Sequence, residues 1–109
     1  MIRVVMLRQG GKTLGFECSG HAGYADAGQD IVCSAVSALT TATANGLTEV
    51  AGIAAKVSDD GRTLRCLVPE NVAGRQREDA QLLFDTLEMA LSGIRDNHRQ
   101  HLKISDREV

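Results

Sequence analysis

The chain has 109 residues, which suits one domain with one core, and its 24% charged and 43% apolar residues are typical of a globular domain. A formal charge of −2 and only 3% aromatic residues argue against a protein whose main task is direct nucleic-acid binding, although a basic patch on one face stays open. We expect no membrane span, because no apolar run approaches about 20 residues, and no signal peptide, because the first apolar run is short and interrupted. Three cysteines without a pairing pattern favour a reducing compartment, so we expect a cytoplasmic protein.

The first twenty residues predict a β-hairpin. The stretch 2–7 is apolar and rich in β-branched residues, Gly10-Gly11 provides a turn, and the stretch 13–19 alternates between apolar and polar residues. The alternation places three side chains of the second strand on one side, towards the core: Leu14, Phe16 and Cys18.

A glycine-rich loop and a long helix follow the hairpin. Gly20, Gly23 and Gly28 predict a mobile loop over 20–29. Asp30 is suited to cap the helix that follows, because its carboxylate can accept the unpaired N–H groups of the first turn. Apolar residues at helical spacing predict that this helix runs from about 30 to 50, past Asn45-Gly46, with many small residues that allow close packing.

The second half of the chain predicts another hairpin and another helix. The stretches 53–58 and 63–68 flank Asp59-Asp60-Gly61-Arg62, and Asp-Gly between alternating segments is a strong hairpin signal. The expected core side chains of this hairpin are Ile53, Ala55, Val57, Leu64, Cys66 and Val68.

A helix from about 75 to 97 has an apolar stripe, with Leu82 and Met89 off that stripe and available to a partner chain. The stripe consists of Ala80, Leu83, Leu87, Ala90, Leu91 and Ile94.

The weakly alternating tail 102–109 allows a last edge strand. The order ββαββα, with this C-terminal strand, predicts a single α+β domain over 1–109, with one sheet and both helices packed on one face of it.

Cys33 is the first candidate for chemistry. If Asp30 caps the helix, Cys33 is its third residue, where the helix dipole and unpaired N–H groups favour a thiolate. A thiolate is the form that attacks carbonyl groups. The alternative is that Cys33 is a small buried apolar side chain, which is the common role of a free cysteine.

His21 is the second candidate. Its ring could take the proton of a thiol and later give it to a leaving amine, provided that the loop brings it to Cys33. Asp30 or Asp26 could orient the imidazole, although capping is the simpler role for Asp30. The alternative for His21 is a solvated loop residue.

A zinc site is the competing explanation for these side chains. Cys18, His21, Cys33 and Cys66 are residue types that bind zinc, but the set lacks a second closely spaced pair. Cys18 and Cys66 also fall on the core side of their strands, which favours a structural role. We therefore expect no metal and no cofactor.

The motif around these residues resembles a known family. Gly20-His21-Ala22, followed by Gly28-Gln29-Asp30-Ile31-Val32-Cys33-Ser34-Ala35-Val36-Ser37-Ala38-Leu39, is similar to the signature of the ribosomal-processing cysteine protease family, called Prp. Asn45-Gly46-Leu47, the length, the order of elements and the Lys103-Ile104 tail fit as well. The resemblance covers essentially the whole chain.

The resemblance implies a function and a site. Members are bacterial cytoplasmic homodimers that remove a short N-terminal extension from a large-subunit ribosomal protein, so His21 and Cys33 are the expected catalytic dyad. Gly20, Gly23 and Gly28 would then belong to a loop that closes over the substrate. The rival function is a non-catalytic ribosome-assembly factor that holds the same client protein, in which Cys33 is merely packed.

Overall fold

The computed structural model describes residues 1–20 and 27–109, and the side chains of all of these except 27–30. The elements in chain order are β1 (Ile2–Gln9), β2 (Lys12–Ser19), α1 (Ala27–Asn45), a π-helical turn (Gly46–Val50), β3 (Lys56–Asp59), β4 (Thr63–Leu67), α2 (Gly74–Asn97) and β5 (Leu102–Glu108). The predicted order ββαββα and the C-terminal strand are confirmed.

The five strands form one mixed sheet in the order β3-β4-β2-β1-β5. Neighbouring strands are antiparallel except for β1 and β5, which are parallel. In the β1-β5 pair, Ile2 lies opposite Leu102. The predicted α+β fold with one sheet and two helices is therefore confirmed, and the two sheet edges are β3 and β5.

The apolar core lies on one face of the sheet. Register places Phe16 between Met6 and Cys66, and Cys18 between Val4 and Leu64, so these side chains share a face. They belong to one apolar cluster to which both helices contribute, so both helices cover the same face. The fully buried helical members of this cluster are Val32, Val36, Phe84 and Leu91.

Helix α1 begins at Ala27, earlier than predicted. The prediction that Asp30 caps the helix is therefore wrong: Asp30 is the fourth helical residue, and Gly28 is in the first turn of the helix rather than in the loop. Ala27 and Gln29 are good helix formers, which offsets the unfavourable glycine between them.

The helical path continues past Asn45, as predicted, but changes its hydrogen bonding. The N–H of Ala51 donates to the carbonyl of Gly46 at 2.8 Å, five residues back, which defines a π turn. A Cβ at Gly46 would lie 3.4 Å from Leu83 Cδ2 of α2. The small residue lets the two helices pack closely at this point.

The segment Ile31–Val50 corrects the expectation that the chain has no stretch able to span a membrane. Its length and its mean hydropathy of 1.2 would allow a span. However, Val32, Val36 and Leu47 of this segment are buried in the same core as the sheet. A core helix of a globular domain accounts for these features.

Two positions depart from the predicted core. Val57 is 45% exposed because it lies on the edge strand β3, whereas Ile53 before it is buried. Phe84 was not assigned to the stripe of α2, yet it is fully buried and meets Phe16 edge to face, with ring centroids 6.4 Å apart. Leu82 and Met89 lie off the stripe, as predicted.

We predict opposite effects for two glycine substitutions. A Cβ at Gly15 would lie 2.1 Å from the backbone oxygen of Cys66, so Gly15→Ala must push β2 and β4 apart. We expect it to destabilise the fold by more than about 1 kcal/mol. Gly93→Ala in α2 meets nothing within 4 Å and should stabilise by up to about 1 kcal/mol. Urea unfolding measures both changes, and equal effects would contradict the packing described.

Candidate active site

Cys33 lies in the second turn of α1, half-buried and packed against the core. Counted from Ala27 it is the seventh helical residue, not the third as predicted, because the helix starts earlier. Only the first four N–H groups of a helix lack an intrahelical partner, and the dipole acts mainly in the first turn. The N–H of Cys33 is therefore not one of the unpaired donors at the helix start.

Cys18 and Cys66 differ from Cys33, as predicted. Both are buried in the sheet, at 3% and 0% exposure. Burial raises the pKa of each thiol to about 11, because a thiolate is poorly solvated there. Cys33 and Asp59 contribute further to the raised pKa of Cys18, which places Cys33 within electrostatic range of Cys18 in the neighbouring strand.

Gly20 fixes the end of β2. Its φ of +87° is in the left-handed region, and a Cβ there would lie 2.2 Å from the backbone oxygen of Met1. Any other residue would be strained and would collide with the backbone. The role of Gly20 is thus a close approach to Met1, at the residue that precedes His21 in the sequence.

His21, Gly23 and Asp26 lie outside the described residues, as does the side chain of Asp30. The predicted meeting of His21 with Cys33, the orienting role of Asp26 or Asp30 and the mobility of the loop therefore stay predictions. The described residues on the two sides of this segment include Cys18, three residues before His21, and Cys33, which contributes to the raised pKa of Cys18.

A groove of about 170 Å³ lies between α1 and the β2-β4-β3 side of the sheet. It is lined by Cys18, Ser37, Thr40, Thr41, Asp59 and Leu64. Ser37 follows Cys33 by four residues and Thr41 by eight, so all three lie along one side of the helix. The sequence does not predict this groove, because no local pattern links this side of the helix to the strands that face it.

The zinc hypothesis concerns four side chains, of which three lie in the described part of the chain. Among residues 1–20 and the described side chains from 31 onwards, no three His, Cys, Asp or Glu side chains are grouped to hold a metal ion. The proposed zinc set includes His21, which lies outside this part of the chain, so that alternative stays untested.

The family model and the relative that match this chain carry the same protein name. The family model described as "Cysteine protease Prp" matches residues 1–103. The Bacillus subtilis (strain 168) protein named ribosomal processing cysteine protease Prp is 31% identical over 108 residues, which cover 96% of each chain.

Two solved structures of the essential ribosomal processing protease Prp from S. aureus share the fold. One, in complex with a substrate peptide, is 20% identical with a TM-score of 0.87. The other, in complex with a covalently linked product peptide, is 23% identical with a TM-score of 0.82. Each comparison covers 98% of this chain and 100% of the other.

We predict that alkylation distinguishes the three thiols. Iodoacetamide reacts with thiolates, so Cys33 should be labelled first in the native protein, while Cys18 and Cys66 are protected by burial and by pKa values of about 11. Peptide mass spectrometry after timed labelling at pH 7.5 identifies the modified residue. Labelling in denaturant, where all three should react alike, is the control, and native labelling of Cys66 as fast as Cys33 would contradict the prediction.

Proposed function

The chain belongs to the cysteine protease Prp family, and on this premise we propose that it removes a short N-terminal extension from a large-subunit ribosomal protein. One observation carries the proposal for the site: Cys33 is only half-buried and precedes by four helical residues Ser37, which lines a groove, whereas Cys18 and Cys66 are buried. The name of the Bacillus subtilis relative supports a ribosomal client. A ribosomal protein is made in the cytoplasm, so we infer the same location for the protease.

The proposed chemistry uses Cys33 and His21 as a dyad. The Cys33 thiol transfers its proton to the His21 imidazole, and its sulfur attacks the scissile carbonyl carbon. His21 then gives the proton to the leaving amine as the peptide bond breaks, which leaves a thioester on Cys33. Water, deprotonated by His21, hydrolyses the thioester and restores the thiol. No metal or cofactor takes part in this scheme.

The early start of α1 determines which backbone N–H groups of the helix are available to the oxyanion in this scheme. An unpaired backbone N–H at the start of a helix can donate to the oxyanion of a tetrahedral intermediate. As the seventh helical residue, Cys33 has its N–H directed into the helix. Donors to the oxyanion must therefore come from other groups, and the proton acceptor His21 becomes the main means of forming the thiolate.

The groove lined by Ser37 and Thr41 of α1 suits an extended peptide. Its wall of Ser37 and Thr41 can donate hydrogen bonds, and Leu64 provides an apolar surface. Strand β3 is a sheet edge and its residue Asp59 lines the same groove. We propose that the substrate adds to this edge as a further strand, so that backbone hydrogen bonds hold the peptide and the groove selects side chains.

We also propose that the protein is a homodimer. Leu82 and Met89 are 67% and 79% exposed, and their spacing of seven residues places them on the same side of α2. Val50 is 87% exposed and lines a groove together with Leu82, so the apolar surface extends onto the π turn. Apolar surface of this kind is typical of subunit contacts.

Cleavage by Cys33 variants tests the function. The substrate is a large-subunit ribosomal protein with an N-terminal extension, and mass spectrometry before and after incubation identifies its N-terminus. We expect the wild-type chain to shorten it, and Cys33→Ala and His21→Ala to lose activity by roughly 1,000-fold or more each, because members of one catalytic unit act together.

Cys66→Ser is the matched control for these variants. It should cost about 1–3 kcal/mol of stability, because it buries a hydroxyl with few partners, yet cleave normally in its folded fraction. Tight binding of the client by wild type without any cleavage would favour the non-catalytic binding factor. Cleavage at the wild-type rate by folded Cys33→Ala would exclude the proposed nucleophile.

The dimer is tested by sedimentation at micromolar concentration. We expect wild type to sediment at twice the chain mass of 11.6 kDa. Leu82→Asp combined with Met89→Asp should shift it to the monomer, because both side chains are exposed in the single chain and their replacement leaves its core intact. A wild-type species of 11.6 kDa only would refute the dimer.

A further inference from the structure

The face of the sheet opposite the helices carries a cluster of positive charge. By strand register, Arg3, Lys103 and Arg107 point away from the core on β1 and β5, and Arg65 does so on β4. We call these four residues, together with Glu17 between them on β2, the basic face. Four cations and one carboxylate give it a net charge of +3, so the remainder of a chain with a total charge of −2 carries −5.

Glu17 organises this face without neutralising it. One carboxylate oxygen contacts Arg107 Nη2 at 2.7 Å, and the other contacts Arg65 Nε at 3.1 Å. Arg107 thereby reaches from β5 across β1 to β2. Each guanidinium has five N–H donors, so both arginines keep donors for an anion while their positions are held by Glu17.

The basic face is open to solvent. The helices cover the opposite face, and the side chains of Arg65 and Arg107 are 46% and 51% exposed. Arg3 and Lys103 are exposed and are direct neighbours in the β1-β5 pair. Lys56 points to the same side at the β3 edge, but it shares a groove with Glu70 and is not counted in the cluster.

The dimensions of the basic face fit several phosphates of one strand. Lys103 and Arg107 are four residues apart on β5, about 13 Å, and β4 lies three strand spacings from β5, about 14 Å. The two phenylalanines are buried in the core, so they offer no platform for stacked bases on this side. Of the outward apolar residues, Leu7 is fully buried, and Val5 and Leu67 are only partly exposed. In the described part of the chain, a ligand on this face would therefore meet mainly charged side chains.

We propose that the basic face binds the phosphate backbone of RNA, independently of base sequence. RNA presents evenly spaced negative charges on a flexible strand, which matches a flat group of fixed cations. An anionic membrane is the less suitable ligand, because the basic face exposes no large apolar side chain for insertion between lipids. The net charge of −2 led us to expect no direct nucleic-acid binding, but that value averages over a chain in which the charges are segregated.

RNA binding is tested by fluorescence anisotropy. The probe is a labelled 20-nucleotide single-stranded RNA of mixed sequence, titrated with the full chain at 25 to 200 mM KCl. Four phosphate contacts predict a slope of log K against log salt of about −2.8. Arg3→Glu combined with Lys103→Glu removes two contacts and leaves the Glu17 ion pairs intact. The magnitude of the slope should therefore decrease to about half. The affinity for RNA at 50 mM KCl should decrease by roughly tenfold or more.

Arg75→Glu combined with Arg99→Glu on the helical side is the matched control. It changes the net charge by the same amount at exposed positions and should leave RNA binding within about twofold. Absence of RNA binding by wild type at 25 mM KCl, equal losses in both double variants, or binding to anionic phospholipid vesicles but not to RNA would overturn the proposal. Cys33→Ala should bind RNA like wild type, so failure here is distinguishable from failure of the protease function.

Discussion

Burial of a single face of the sheet is the constraint on which the rest of this domain depends. The inward side chains of β1 and β2 are apolar, and only two helices packed together on that side remove them from water. This burial determines to which side of the sheet the side chain of each strand residue points. It turns Cys18 inward beneath α1 and directs Glu17 and Arg65 outward, to a face that no helix of residues 27–109 covers.

The same constraint separates the two kinds of thiol in the chain. A cysteine on the inward side of a central strand is desolvated and held as a neutral thiol, which is the state of Cys18 and Cys66. A cysteine on a covering helix can lie at the margin of the core, where it packs against apolar side chains and stays partly exposed. Cys33 has this position, so a single core provides both inert and accessible thiols.

Much of the fold was predictable from alternation and turn residues. The strand faces at Leu14, Phe16 and Cys18 follow from a period of two, and the β3-β4 hairpin follows from Asp60-Gly61. The helix start was not predictable, because a good capping residue at Asp30 outweighed the helix-forming Ala27 and Gln29 in a local reading. The exposure of Val57 depends on how far the helices extend over an edge strand, which is tertiary information.

The sequence predicts candidate residues for the site, but it does not predict the surface around them. The motif singled out Cys33 as a cysteine early in a helix of small residues. The groove of Ser37, Thr41 and Asp59 combines a helix with the far edge of the sheet, so no local pattern reports it. The segment that contains His21 lies outside the described residues, and its relation to Cys33 rests on the family motif.

The close contact between Gly20 and Met1 has a practical consequence for handling the protein. Because β1 and β5 are parallel, the two chain ends leave the sheet at opposite ends, on the order of 20 Å apart. Residues joined ahead of Met1 would emerge beside the backbone that leads into His21. Residues joined after Val109 would emerge near Arg8, at the far end of the sheet. A purification tag is therefore better placed after Val109, where it does not compete with a peptide for the site.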